Sequence, residues 1–176
     1  IVVSGANLQV VDGSGSTSGP TNGLGNVIIG YNEKTGSQPR TGSHNLVVGQ
    51  ENGYSSFGSI VGGEFNLATA RGASVLGGSY NTASGLYATV AGGSTNTASG
   101  QNSAAGGGYL NLSSGSYASV AAGCESTASN NFSAICGGQK GTASGAWAAV
   151  SGGYGKVVWM PTFDAEYVVK TTKENR

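Results

Sequence analysis

The chain has 176 residues, Lys+Arg 8 against Asp+Glu 8, and only 9% charged residues, where an average globular protein has roughly a quarter. That balance excludes the basic face an electrostatic nucleic-acid binder needs, and the polybasic cluster of a membrane-surface protein. With Gly 33, Phe 4, Trp 2 and Met 1, the composition leaves room only for a narrow core of Ala and Val. No run of about twenty apolar residues is present, so no segment is expected to insert in a membrane as a helix.

Residues 1–25 read as an N-terminal strand followed by a flexible loop. Leu8-Gln9-Val10 alternates briefly, and Gly13 to Pro20 is rich in turn residues. Residues 26–58 form irregular coils that lead into a repeat. Two apolar segments, Val27-Ile28-Ile29-Gly30 and Leu46-Val47-Val48-Gly49, lie nineteen residues apart. The loop between them, Glu33 to Gly42, is therefore expected to enlarge one coil. Residues 45–58 fit a coil of fourteen.

From Ser59 to Ala148 six blocks of fifteen residues follow without interruption, and a seventh decays after Gly153. A fixed short period is the mark of a stacked solenoid, and strict register argues against disorder. Numbering positions from Ser74 as one, positions fifteen, two and ten hold Ala, Val, Ile or Ser in every full block from Ser74 on. Examples are Ala73, Val75 and Ala83. Strand alternation places them on one inward face, as two short strands per coil. Val61, Leu76, Ala91 and Tyr87 are expected to point outward.

Two turns separate the strands. One is a Gly-Gly pair, as in Gly77-Gly78 and Gly92-Gly93. The other is centred on position twelve, where Gly85, Gly100, Gly115 and Gly145 give way once to Asn130. That exchange predicts a left-handed backbone there. Position eight holds Asn66, Asn81, Asn96 and Asn111, which predicts a ladder of amides from coil to coil, broken by Ser126 and Gly141. Position seven varies most: Phe65, Tyr80, Thr95, Leu110, Glu125, Lys140. Variable residues on a fixed scaffold are where recognition is placed. Phe65, Tyr80 and Leu110, with Lys34 and Arg40 of the enlarged loop, are accordingly the candidate ligand contacts. Residues 154–176 read as a cap or linker, with a charged tail from Asp164.

Catalytic chemistry has little to stand on. His44 is the single histidine, flanked by Ser43 and Asn45. Glu64 and Glu125 stand alone among neutral residues, without the paired spacing of a glycosidase. Gly106-Gly107-Gly108 has no Lys after it and no helix to open, so it is no phosphate loop. Cys124 and Cys136 fall at positions six and three and are expected as free, buried or half-buried thiols. The chain is expected to be no enzyme, with no cofactor and no metal. Thin coils with apolar residues outside imply that copies of the chain cover one another. An alternative, weighed on Thr82, Thr97, Thr127 and Thr142 at position nine, is an ice-binding face.

The motifs resemble the YadA-like head repeats of trimeric autotransporter adhesins. Gly25-Asn26-Val27-Ile28-Ile29-Gly30 and His44-Asn45-Leu46-Val47-Val48-Gly49 look like that family's apolar strand. Asn81-Thr82-Ala83-Ser84-Gly85 looks like its return. The resemblance covers about residues 26–153. The period of fifteen is longer than the adhesins', and the strand Asn is displaced by one position. It implies an all-β, left-handed parallel β-roll of 14–15-residue coils, assembled as a homotrimer on a bacterial surface. A trimeric head of that kind binds a surface protein or glycan receptor by multivalent contact. Similar repeats in phage fibres make a virion tail fibre the alternative.

Overall fold

The computed structural model describes residues 2–159. Among them the chain winds as a solenoid of parallel strands with no helix. One sheet of nine strands begins with Val27–Ile29, Leu46–Gln50 and Ile60–Glu64, then continues as two-residue strands from Ser74–Val75 to Ala149–Val150. The second sheet of eight strands runs from Gly53–Tyr54 through Thr82–Ala83 to Val157–Val158. Between them, position six forms a third line of single parallel bridges, Glu64 to Ser79 to Ser94 and onward to Tyr154. From Ser74 on, the coil is so short that each strand spends only two residues in register. Stability therefore comes from repetition rather than strand length.

The inward set is as expected. Ala73, Val75, Ala83, Ala88, Val90 and Ala98 are fully buried, and the pattern recurs to Ala143. Such a core fills the narrow gap between sheets with little volume per coil. Three clusters result: Val47 to Ala68, Ala73 to Ala105, and Ala118 to Val150. Between the second and third lie Ser103 and Ser113, which are buried at 1% and 0% exposure with hydroxyls that meet no partner.

Four features correct the reading of the sequence. First, Leu8 to Val10 form no strand, and residues 2–25 contain none. This segment folds against the first coil instead. Asn22 exchanges hydrogen bonds with Ser43, and its Nδ2 donates to the Asp12 carbonyl.

Second, the first block is out of phase by one. Val61 pairs with Val75, whereas Glu64 bridges Ser79, so one residue is missing from the intervening turn. The coil starting at Ile60 has fourteen residues, and Val61 is buried at 0% exposure rather than facing out. The Gly-Gly landmark fixed the register after the deletion, and it misplaced the strand before it. The expected coil of fourteen before it is present, since Leu46 pairs with Ile60, and the enlarged first coil spans Val27 to Leu46.

Third, position twelve is not left-handed. Positive φ occurs instead at the second glycine of the pair and at positions seven and fourteen. Gly85 is needed for space instead, since a Cβ on it meets the Gly100 carbonyl oxygen at 2.0 Å, although Asn130 holds the same position with a side chain. In the pair, Gly78 (φ 79°) is the demanding member, because a Cβ there meets the Gly93 oxygen at 2.0 Å, whereas one on Gly77 meets nothing within 4 Å.

Fourth, the amide ladder is longer than the Asn file. Asn81 donates its backbone N–H to Asn66 Oδ1 (2.8 Å), and its Nδ2 donates to the Gly77 and Gly93 carbonyls (3.2 and 2.9 Å). Upstream the ladder includes Asn52 and Asn32. Downstream Ser126 does not break it: its N–H reaches Asn111 Oδ1, and its Oγ accepts the Gly141 N–H. The last strand, Val157–Val158, also carries the stack past Gly153 by pairing with Thr142–Ala143. The charged tail from Asp164 lies outside the described residues.

Candidate interaction surface

Two corners of the solenoid carry files of large outward side chains, and both are built by left-handed residues. At position seven Phe65, Tyr80, Thr95, Leu110, Glu125 and Lys140 have φ between 53° and 59°. At position fourteen Tyr87, Asn102, Tyr117, Phe132 and Trp147 have φ between 54° and 63°. For a residue with a Cβ this conformation costs about 1–2 kcal/mol.

The hydrogen bonds explain its recurrence. Along the strands each amide donates to the following coil, as Ser79 does to Gly93 (3.0 Å). At the corner Tyr80 donates backward, to Glu64 (3.1 Å). At the other corner Tyr87 donates back to Arg71 (3.0 Å), while Thr89 points forward to Ser103 (3.0 Å). A single left-handed residue turns the peptide over and pairs the corner amide with the preceding coil.

The consequence for the surface is a set of rigid, registered files. Phe65 and Tyr80 stack with ring centroids 4.8 Å apart and planes within 4°. Leu110 stands two coils beyond Tyr80, with Thr95 between them. Further along, Glu125 and Lys140 pair at 3.7 Å, and the Lys140 ammonium lies 5.8 Å from the Tyr154 ring centre. Tyr154 first, and Glu125 second, hold the Lys140 ammonium above its usual range. At the other corner Tyr117, Phe132 and Trp147 stack at 5.0 and 4.1 Å, and the Arg71 guanidinium lies 5.5 Å from Phe57 and 5.6 Å from Tyr87.

The enlarged loop springs from the head of the position-seven file. Glu51, itself left-handed at φ 53°, is buried there and accepts the Thr35 N–H on Oε1 at 2.6 Å. The Thr35 hydrogen bond holds its carboxyl below the usual glutamate range, against the opposing effect of burial. Lys34 is exposed on this loop. Arg40 is not a free cation: half-buried, it donates through Nε to the Asn52 carbonyl (3.2 Å) and through Nη2 to the Glu33 carbonyl. The fold thus gathers Phe65, Tyr80, Leu110 and the loop at one corner, and Arg40 braces that loop. Beside them Tyr31, Glu33, Gln50 and Glu64 line a shallow open groove.

The residues considered for catalysis are engaged otherwise. The ring of His44 accepts the Asp12 backbone N–H on Nε2 (3.2 Å) and stands 3.6 Å from the Asp12 carboxylate. Ser43 Oγ turns to Asn22 rather than to His44. Glu64 accepts from Gln50 (3.2 Å), and Glu125 faces Lys140. Cys124 and Cys136 are free thiols, the first half-buried and the second exposed.

The aromatic file at position fourteen was not singled out from sequence. Its signal was faint: Gly72 and Asn102, residues that favour positive φ, share that position with the aromatics. No family model and no curated protein matches the chain.

Proposed function

We propose that the chain is a non-enzymatic fibre segment: a left-handed β-roll that assembles as a homotrimer and adheres through its outward files. The observation that carries this reading is the pair of registered corner files. Large side chains such as Tyr80, Tyr117 and Trp147 are 58%, 52% and 68% exposed on backbone hydrogen-bonded to the preceding coil. A scaffold that spends left-handed strain on outward side chains suits display better than chemistry. The receptor class is a surface protein or glycan, and three copies per rod raise avidity without a strong single site. The location that fits is the bacterial cell surface, with a phage tail fibre as the other setting.

The narrow core supports assembly. Ala and Val bury little area per coil, at roughly 25 cal/mol per Å², while Val27, Ile28, Ile29, Ile60 and Leu76 remain exposed. Sedimentation equilibrium tests the trimer, and a folded monomer at micromolar concentration would sink it. Binding of the immobilised chain to arrayed glycans and matrix proteins tests adhesion. Tyr80→Asn is expected to weaken capture, and an array without any specific signal would remove the adhesive reading.

A further inference from the structure

We propose that the ladder Tyr117–Phe132–Trp147 is a binding site for an elongated, planar, conjugated aromatic molecule lying parallel to the solenoid axis. This inference does not depend on trimer formation or on adhesion.

The geometry favours that shape of ligand. The three rings stack face to face with planes within 4° of one another, so their faces cover each other and their edges form the outer strip. Ring edges carry the positive rim of the aromatic quadrupole and ring faces the negative region. A strip of edges therefore receives the face of a flat π-system, in the edge-to-face arrangement aromatic pairs prefer.

Positions twelve and thirteen beside the ladder are Gly115 and Ser116, Asn130 and Asn131, Gly145 and Ala146, of which Asn130 and Asn131 are exposed. None of these side chains is aromatic, so the rings are the large flat groups of this strip. A rod-like molecule aligned with the axis can reach all three rung edges at once. Preorganisation adds to the case. Tyr117, Phe132 and Trp147 sit at φ 60°, 58° and 63° on backbone tied to adjacent coils, so little freedom remains to be lost on binding.

The strip carries no formal charge that would select a ligand by sign. From Ser114 to Ala118, Ser129 to Ser133 and Ser144 to Ala148 there is no charged residue. Recognition by ring edges on such a surface is indifferent to the sign of the ligand's charge. Thioflavin T, a cation, and Congo red, an anion, are the probes that separate this from electrostatic adsorption.

The experiment is a titration of the chain with each dye, read by fluorescence for thioflavin T and by equilibrium dialysis for Congo red. Both are expected to bind saturably, with less than a twofold change in affinity between low and moderate salt. Phe132→Asn, which removes the middle rung and places a residue already tolerated at Asn102, is expected to weaken both at least tenfold. Should that variant lose its circular dichroism spectrum, Phe132→Leu replaces it, since Leu110 is accommodated at the same φ. Tyr80→Asn, in the other file, is expected to leave both affinities unchanged. Binding of only one dye, equal loss in the Tyr80 variant, or unchanged affinity in the Phe132 variants would overturn the site. Affinity that tracks protein concentration would assign the dye to a contact between copies and would overturn it as well.

Discussion

The substitution Asn81→Ala tests whether the amide ladder holds the coils together. Asn81 is fully buried; its backbone N–H donates to Asn66, and its side chain makes three further hydrogen bonds. Truncation leaves its own backbone N–H on Asn66 but removes the other three. The Gly93 carbonyl keeps the Ser79 N–H (3.0 Å) and is not stranded. The Asn96 N–H, bonded to Asn81 Oδ1 at 2.9 Å, is left buried without an acceptor. An orphaned donor costs about 1–3 kcal/mol, and each lost bond about 1 kcal/mol, so a local loss of about 3 kcal/mol is expected. Ser126 supplies the control, because its hydroxyl accepts from Gly141 as an amide oxygen would (3.2 Å). Asn81→Ser should therefore keep Asn96 satisfied and cost about half as much. Asn81→Asp should be the worst, setting a buried carboxylate against the Gly77 and Gly93 carbonyls. Solenoids unfold in parts, so a single global midpoint is a poor readout. Native-state hydrogen exchange of the Asn96 amide reads the effect directly. Three kcal/mol is more than a hundredfold in opening equilibrium. Equal exchange in the Ala and Ser variants would refute the ladder as the source of cohesion.

Other expectations follow from the same geometry. Ser113→Ala removes a buried hydroxyl with no partner, at a place where neighbouring coils carry Ala98 and Ala128. It should stabilise by about 1 kcal/mol, read as slower native-state exchange of the Ser114 amide, which donates to Ala128; faster exchange would show that the hydroxyl has a partner. Thr95 is β-branched at φ 59°, so Thr95→Asn should gain about 1 kcal/mol by relieving a left-handed strain. A loss would mean that the corner has another conformation in solution. The Glu51 carboxyl is held below its usual range, chiefly by Thr35. A depressed folded-state value means that this anchoring is complete above the ordinary glutamate pKa of about 4.3 and is lost as pH falls through the lower folded value. The Thr35 amide resonance should shift in that acid window. Glu51→Gln should abolish the shift, and a shift retained in that variant would place the titration elsewhere.

Much of the fold was legible because its physics is periodic. Ala83, Val90 and Ala98 recur at the spacing that two-residue strands demand, and Asn66 to Asn111 recur where amides must meet. The corners were not legible. Propensity assigns left-handed backbone to Gly and Asn, so Gly85 and Asn130 drew that reading, although Gly85 answers to a steric approach instead. Tyr80, Leu110 and Trp147 carry no local signal for positive φ. Their conformation is imposed by amides that must reach the previous coil. The phase slip at Val61 was hidden for a similar reason. One deleted turn residue leaves both flanking patterns intact, and only the pairing with Val75 reveals it. Position seven was identified by its variability, whereas the stacked rings at position fourteen emerge only when coils are superposed.

The shortness of the coil has a mechanical consequence. Each turn advances the rod by one strand spacing, about 4.8 Å, yet stores fifteen residues, which extend to roughly 50 Å. A chain pulled from its ends is loaded like a zipper, one row of hydrogen bonds at a time, and each yielding turn pays out about ten times its own height. Single-molecule extension should show a train of steps of that size, and one all-or-none rupture would contradict it. The seam at Ser103 and Ser113, where the core is interrupted, is where such a train is expected to pause or begin. A tether of this construction lengthens under load before it lets go.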